Sequence, residues 1–176
     1  MARDGLKLGS RLLIGGIAGF VGTMAMTAAM RRLHEKLPAR ERYPLPPREI
    51  VDATAEKAGI DLPDEAAKDL TTAAHFAYGA VVGAMIGALN PRPSKPTGAA
   101  AGVAVWVASY MGWIPAVNIL EPGTEHPRRR NALMIAAHLV WGWWTAASIR
   151  ELVEARETMI ASGPDKDAKP PLRPGN

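Results

Sequence analysis

"LLIGGIAGFVGTMAMTAAM", residues 12–30, runs for nineteen residues without one Asp, Glu, Lys or Arg. As an α-helix rising about 1.5 Å per residue it would be roughly 28 Å long, close to the bilayer hydrocarbon core of about 30 Å. Three more stretches share the feature: Leu70 to Asn90, Thr97 to Leu120 and Asn131 to Ile149. Uncharged runs of 10 to 14 residues would read as buried helices of a soluble protein, but these exceed that length. The expected fold is therefore all-α, a four-helix transmembrane bundle. One membrane domain covers residues 1–160, with spans at about 12–30, 70–90, 97–120 and 131–149 and a polar loop at 31–69.

Whole-chain averages hide this pattern, since mean hydropathy is −0.03 over 176 residues. The chain has no cysteine, which removes disulfides, thiolate metal sites and redox motifs together. The basic start "MARDGLKLGSRLLIGG" imitates a secretory leader. Its apolar run is too long for a leader core of about 7 to 15 residues, and it reads as a retained anchor. A net charge of +4, with Lys and Arg beside the spans, suits anionic lipid head groups. No basic patch interleaved with aromatics appears, so nucleic acid is not an expected partner.

In the polar loop, prolines at 38, 44, 46 and 47 exclude a continuous helix. "PPREIVDATAEKAGI", residues 46–60, predicts a short amphipathic helix at the membrane interface. It opens on prolines, turns Ile50, Val51, Ala55 and Ala58 to one side, and stops at Gly59. A new start at Pro63, with Asp64 and Glu65 in the first turn, leads into the second span. Residues 161–176, rich in proline and charge, predict a disordered tail.

Inside the spans, small residues recur at helical spacing. Gly79, Gly83 and Gly87 share one face of span two; Gly15 and Gly19 continue into Thr23 and Thr27 on span one; Gly98 and Gly102 open span three. Helices in lipid associate through close backbone packing, and such stripes predict helix contacts. "AAHFAYG" (73–79) and "AAHLVWG" (136–142) are near copies, aligning His75 with His138 and Gly79 with Gly142. Spans one and three align more weakly, Gly15 and Gly19 over Gly98 and Gly102. The four spans thus read as a parallel duplication of one helical hairpin.

The duplication puts His75 and His138 at similar depth near one side of the membrane. Ionisable residues within spans are functional-site candidates by default. The simplest reading is a neutral imidazole hydrogen-bonded at a helix interface. A pH-sensing pair and an axial haem pair are the alternatives, although no third ligand cluster accompanies them, and no cofactor is expected. Among the aromatics, Trp106 and Tyr110 are placed to stack along span three. Trp141 and Trp144 are set either to pack beside His138 or to join an interfacial belt. Pro115 should break the end of span three and free a carbonyl.

In order and spacing, "PPREIVDATAEKAGI", "HFAYGAVVGAMIGAL", "GAAAGVAVWVASYMGWIPA" and "AAHLVWGWWTAASIRELVEAR" resemble the YagU-type family of bacterial inner-membrane proteins. The most specific elements are the histidine opening span two, the "GW-P" closing span three and the "H-VWGW" of span four. The likeness covers roughly residues 10 to 157, and the "RRR" run before span four departs from it. It implies a small multi-pass inner-membrane protein with a loose link to acid or envelope stress, cytoplasmic termini and no enzymatic activity. Charge leaves the orientation open, because ten Lys and Arg lie on the side of the termini and eleven on the other.

Three functional classes follow. A structural or interaction protein would use its stripes to hold the bilayer, a second copy of itself or another membrane protein. A pH-responsive small transporter or channel would use the histidine pair. A haem-binding redox protein would need both imidazoles as axial ligands. Nucleophile, base and orienting acid never occur together, so no enzyme is expected.

Overall fold

The computed structural model describes residues 5–163. Among them every regular element is helical. α1 (Leu8–His34), α2 (Pro46–Lys57) and α3 (Asp64–Leu89) are followed by α4 (Lys95–Ala108). α4 continues through a π-helical turn at Ser109–Trp113 into α5 (Ile114–Ala116), and α6 (Arg128–Thr158) completes the chain. Four of these units, α1, α3, α4 with its continuation, and α6, are long and apolar enough to cross a membrane. The chain is a four-span membrane protein by that criterion.

Every span begins before its uncharged run, because helical hydrogen bonding continues where lipid gives way to head groups and water, but span three ends at Ala116, short of the expected Leu120. α6 extends from Ile149 to Thr158, where its last turns carry Glu157 in an ion pair with Arg92 at 2.7 Å. The amphipathic helix lies where expected. It begins on Pro46, and Gly59 ends it with φ of +68°, a left-handed conformation that glycine adopts freely. The expected tail falls outside the described residues from 164 onward.

α1 packs along both α3 and α6, and α6 packs along α4, whereas α3 and α4 barely touch. Glycines set the three close seams. A Cβ on Gly83 would lie 2.5 Å from the Gly15 carbonyl oxygen and from Gly19 Cα, so α1 and α3 meet backbone to backbone. Gly142 stands in the same relation to Gly98 and Gly102, a Cβ there lying 3.0 Å from Gly102 N. The two hairpins suggested by the repeat are thus zipped in equivalent ways. Between them, Gly22 lets α1 approach α6, with the Trp141 carbonyl 2.9 Å from where a Cβ would be.

Polar bonds reinforce the central seam. The Trp141 indole N–H lies 3.2 Å from Thr23 Oγ1 and 3.3 Å from the Gly19 carbonyl, and the Thr23 hydroxyl donates to that same carbonyl at 2.8 Å. In lipid no water competes for these groups, so an indole buried there needs its partner. Trp106 and Tyr110 stack as expected, their rings 5.9 Å apart and 18° from parallel. Trp144 does not join them. It is 51 % exposed on the outer surface, while Thr145 continues the buried face of α6.

The interruption of span three is a π-helical turn, and it precedes Pro115. Gly112 carries the break, with φ of −114° and ψ of −106°, and Pro115 falls in the first turn of the short helix beyond it. Lys57 of α2 donates to the Val117 carbonyl at 2.6 Å just after α5, tying the loop helix to this end of the bundle.

Candidate functional site

The seam that does not close contains a cavity of about 260 Å³. It lies in the half of the bundle nearer the long loop, with α2 laid across it through Pro47, Ile50 and Val51. His75 and His138 both line it. His75 stands eleven residues after Asp64 and His138 ten after Arg128, about three turns into parallel helices. No hydrogen bond joins the two rings.

Their environments differ. His138 is 8 % exposed, and its Nδ1 lies 2.8 Å from the Met134 carbonyl one turn back on its own helix. A carbonyl can only accept, so the neutral ring carries its proton on Nδ1 and presents a lone pair on Nε2. That nitrogen has no protein partner. His75 makes no hydrogen bond, and its Nε2 is buried without a partner. It also borders a second hollow of about 250 Å³ lined by Thr27, Arg31 and Thr71, so its ring forms part of a wall between the two spaces.

The rest of the wall is aromatic and apolar, with a few hydroxyls. Tyr110 is 5 % exposed and its hydroxyl finds no partner, whereas the Tyr78 hydroxyl meets Ser109 Oγ at 3.0 Å across the α3–α4 gap. Trp113 stands beside Tyr78, ring centroids 6.3 Å apart, and both are partly exposed on the lipid side. Trp141 supplies the opposite wall. No carboxylate or cation lines the cavity. Among the described residues no group of three or more His, Cys, Asp or Glu gathers into a metal-binding cluster.

Above the cavity, α2 is fastened by residues whose role the sequence did not reveal. Arg130 is only 2 % exposed; its guanidinium donates to the Pro44 carbonyl at 3.0 Å and to the Glu49 carboxylate at 3.1 Å, and covers the Tyr43 ring at 3.6 Å. Burial pushes the Glu49 carboxyl above its usual range, with Arg130 beside it pulling the other way. At the other edge Arg48 bonds Asp52 at 2.7 Å and Asp64 at 3.0 Å, and these carboxylates, Asp52 first, raise the guanidinium further above neutrality. A signal for Arg130 was present. Three arginines in the first turn of a helix oppose its dipole, so one of them needed another reason to be there.

The other candidate residues fall into place around this site. Gly15, Gly19, Gly79, Gly83 and Gly87 hold α1 to α3, and Gly98, Gly102 and Gly142 hold α4 to α6. Gly79 and Trp141 also reach the cavity wall, while Trp106 packs behind it with Tyr110. Comparison with protein-family models, curated proteins and solved structures finds no match for the chain.

Proposed function

We propose that this protein is a multi-pass membrane protein that takes a small, largely apolar molecule from the bilayer into a one-sided cavity, with its histidine pair making the site responsive to acid. The observation that supports this reading is the open α3–α4 seam, with both imidazoles on its wall, in a bundle whose other three seams are closed on glycine. A purely structural or interaction protein built from these stripes would gain from closing the fourth seam too. A through-channel is less favoured than a binding site, because the cavity is confined to one half of the bundle and the glycine contacts seal the other.

Placement in the bacterial inner membrane, cytoplasmic termini and a link to acid or envelope stress rest on the YagU-type resemblance. They agree with a site whose titratable groups are two histidines and two tyrosines, uncompensated by any carboxylate on the wall. A lipid-soluble aryl diazirine, photolysed with the purified protein in lipid nanodiscs, tests the reading. Label should appear on Tyr110 and Met134, which are buried from solvent but face the cavity. It should change in amount between pH 7.5 and pH 5.5. Label restricted to outward residues such as Val81 and Trp144 would refute a cavity open to the bilayer.

A further inference from the structure

The polar atoms of the cavity define the molecule it fits. His138 offers a lone pair at Nε2, fixed by the bond from Nδ1 to Met134, and Tyr110 offers an unpartnered hydroxyl; both side chains are more than nine-tenths buried. An acceptor and a donor that open into the cavity from buried side chains, with no protein partner, suit a ligand that supplies the opposite groups. The walls between them are rings: Tyr78, Tyr110, Trp113 and Trp141. Flat aromatic surfaces favour offset or edge-to-face contact with another ring. The volume is consistent with that. A cavity of about 150 Å³ is enough for benzene, so about 260 Å³ accepts a substituted single ring but not a ring with a long tail. Any tail must leave, and the gap between α3 and α4, flanked by the half-exposed Tyr78 and Trp113, opens sideways into lipid.

We infer that the cavity binds the head of a ring-bearing amphiphile of the lipid-soluble phenol or quinol class, its hydroxyl donating to His138 Nε2 and its tail passing between α3 and α4. The inference rests on the cavity-binding reading above and gives it a ligand class. A plain acyl chain would fill the space but leave the imidazole and the tyrosine hydroxyl unsatisfied. A fatty-acid carboxylate would meet no cation on the cavity wall, and the two arginines that fasten α2 above it, Arg130 and Arg48, are already engaged by Glu49 and by Asp52 and Asp64.

The test uses the full chain in detergent under anaerobic conditions, with a decyl-tailed benzoquinol, its dimethyl ether and decanoic acid as probes, and binding read by native mass spectrometry. The quinol should bind at least tenfold more tightly than the ether, which keeps the ring and both oxygens but carries a methyl group in place of each donating hydrogen. His138→Leu should erase that preference and His138→Gln, which keeps an acceptor, should retain part of it. Val105→Trp, which places a large ring in the cavity, should abolish binding of every probe. Equal affinity of quinol and ether, with Val105→Trp still blocking both, overturns the hydroxyl assignment while sparing the cavity-binding reading. Decanoic acid binding as tightly as the quinol overturns the ring assignment. Binding that ignores Val105→Trp overturns both readings together. The comparison between quinol and ether is made on the native protein and so does not depend on any variant folding.

Discussion

Arg130 and Glu49, 81 residues apart in the chain, meet at 3.1 Å over the cavity mouth, the arginine almost wholly buried and the carboxylate at the edge of the bundle. The pair joins α2 to the first turn of α6, and it is the main polar fastening that lays the loop helix across the site. Glu49→Ala should cost about 1–3 kcal/mol, because a buried guanidinium would lose its counter-charge while keeping its backbone carbonyl partners. Glu49→Gln, which preserves an acceptor, should cost less. Melting temperature in detergent, with protease cleavage within residues 46–57 as a second readout, would reveal the difference; identical behaviour of Ala and Gln would mean that α2 is held by its apolar face alone.

Packing at the α1–α3 seam leaves no room for a side chain. Gly83→Leu would place its Cβ within 2.5 Å of Gly15 O and Gly19 Cα, so the helices must separate along their length. A loss of about 1–3 kcal/mol or more is expected, by the general cost of overpacking, whereas Val82→Leu on the neighbouring position should be mild. Equal tolerance of the two substitutions in a thermal unfolding series would contradict the close seam.

Thr23 is both donor and acceptor at the centre of the bundle. Thr23→Val keeps its shape but removes the oxygen that accepts from Trp141, leaving the indole its longer bond to Gly19. A cost of about 1 kcal/mol is expected, read as a lowered melting temperature and a shifted tryptophan emission. Thr27→Val serves as the control, since its hydroxyl only returns to the Thr23 carbonyl on its own helix.

Acid should loosen the bundle. No carboxylate lines the cavity, so a proton on His75 or His138 introduces a charge among rings and methyl groups, and stability should fall as pH drops below the ordinary histidine range of about 6.5. Glu49 contributes with the opposite sign. A carboxyl raised above its usual value takes up a proton more readily in the folded state, so in the range just above the ordinary carboxyl value its share of stability grows as pH falls and is lost as pH rises. Melting temperatures at pH 7.5 and 5.5 should therefore converge in the His75→Gln, His138→Gln double variant and remain apart in Glu49→Gln. A drop that persists without either histidine would place the acid sensitivity elsewhere.

The membrane architecture was legible because absence of charge over about twenty residues is a local property, and so was α2, whose prolines, apolar face and Gly59 lie within fifteen consecutive residues. The stripes were legible for the same reason. The cavity was not. It depends on α3 and α4 failing to meet, and that is a relation between residues such as Tyr78 and Ser109 far apart in the chain. Nor was the fate of Trp144. Three residues after Trp141, Trp144 lies about 60° round the helix on the side away from His138 and Thr145, and its ring falls on the outer surface. The π-helical turn was only half visible: Pro115 pointed to the right neighbourhood, but the break falls at Gly112.

A contact made of glycine has no rotamers, so it cannot yield by small rearrangements of side chains. With α1–α3, α1–α6 and α4–α6 all fastened in this way, compliance in the bundle is concentrated at the single joint where α3 faces α4, held by one tyrosine–serine bond and a widened turn of helix. The molecule resembles a clasp with three stiff plates and one soft edge. A guest entering from the bilayer would find the protein already jointed along the edge it must pass.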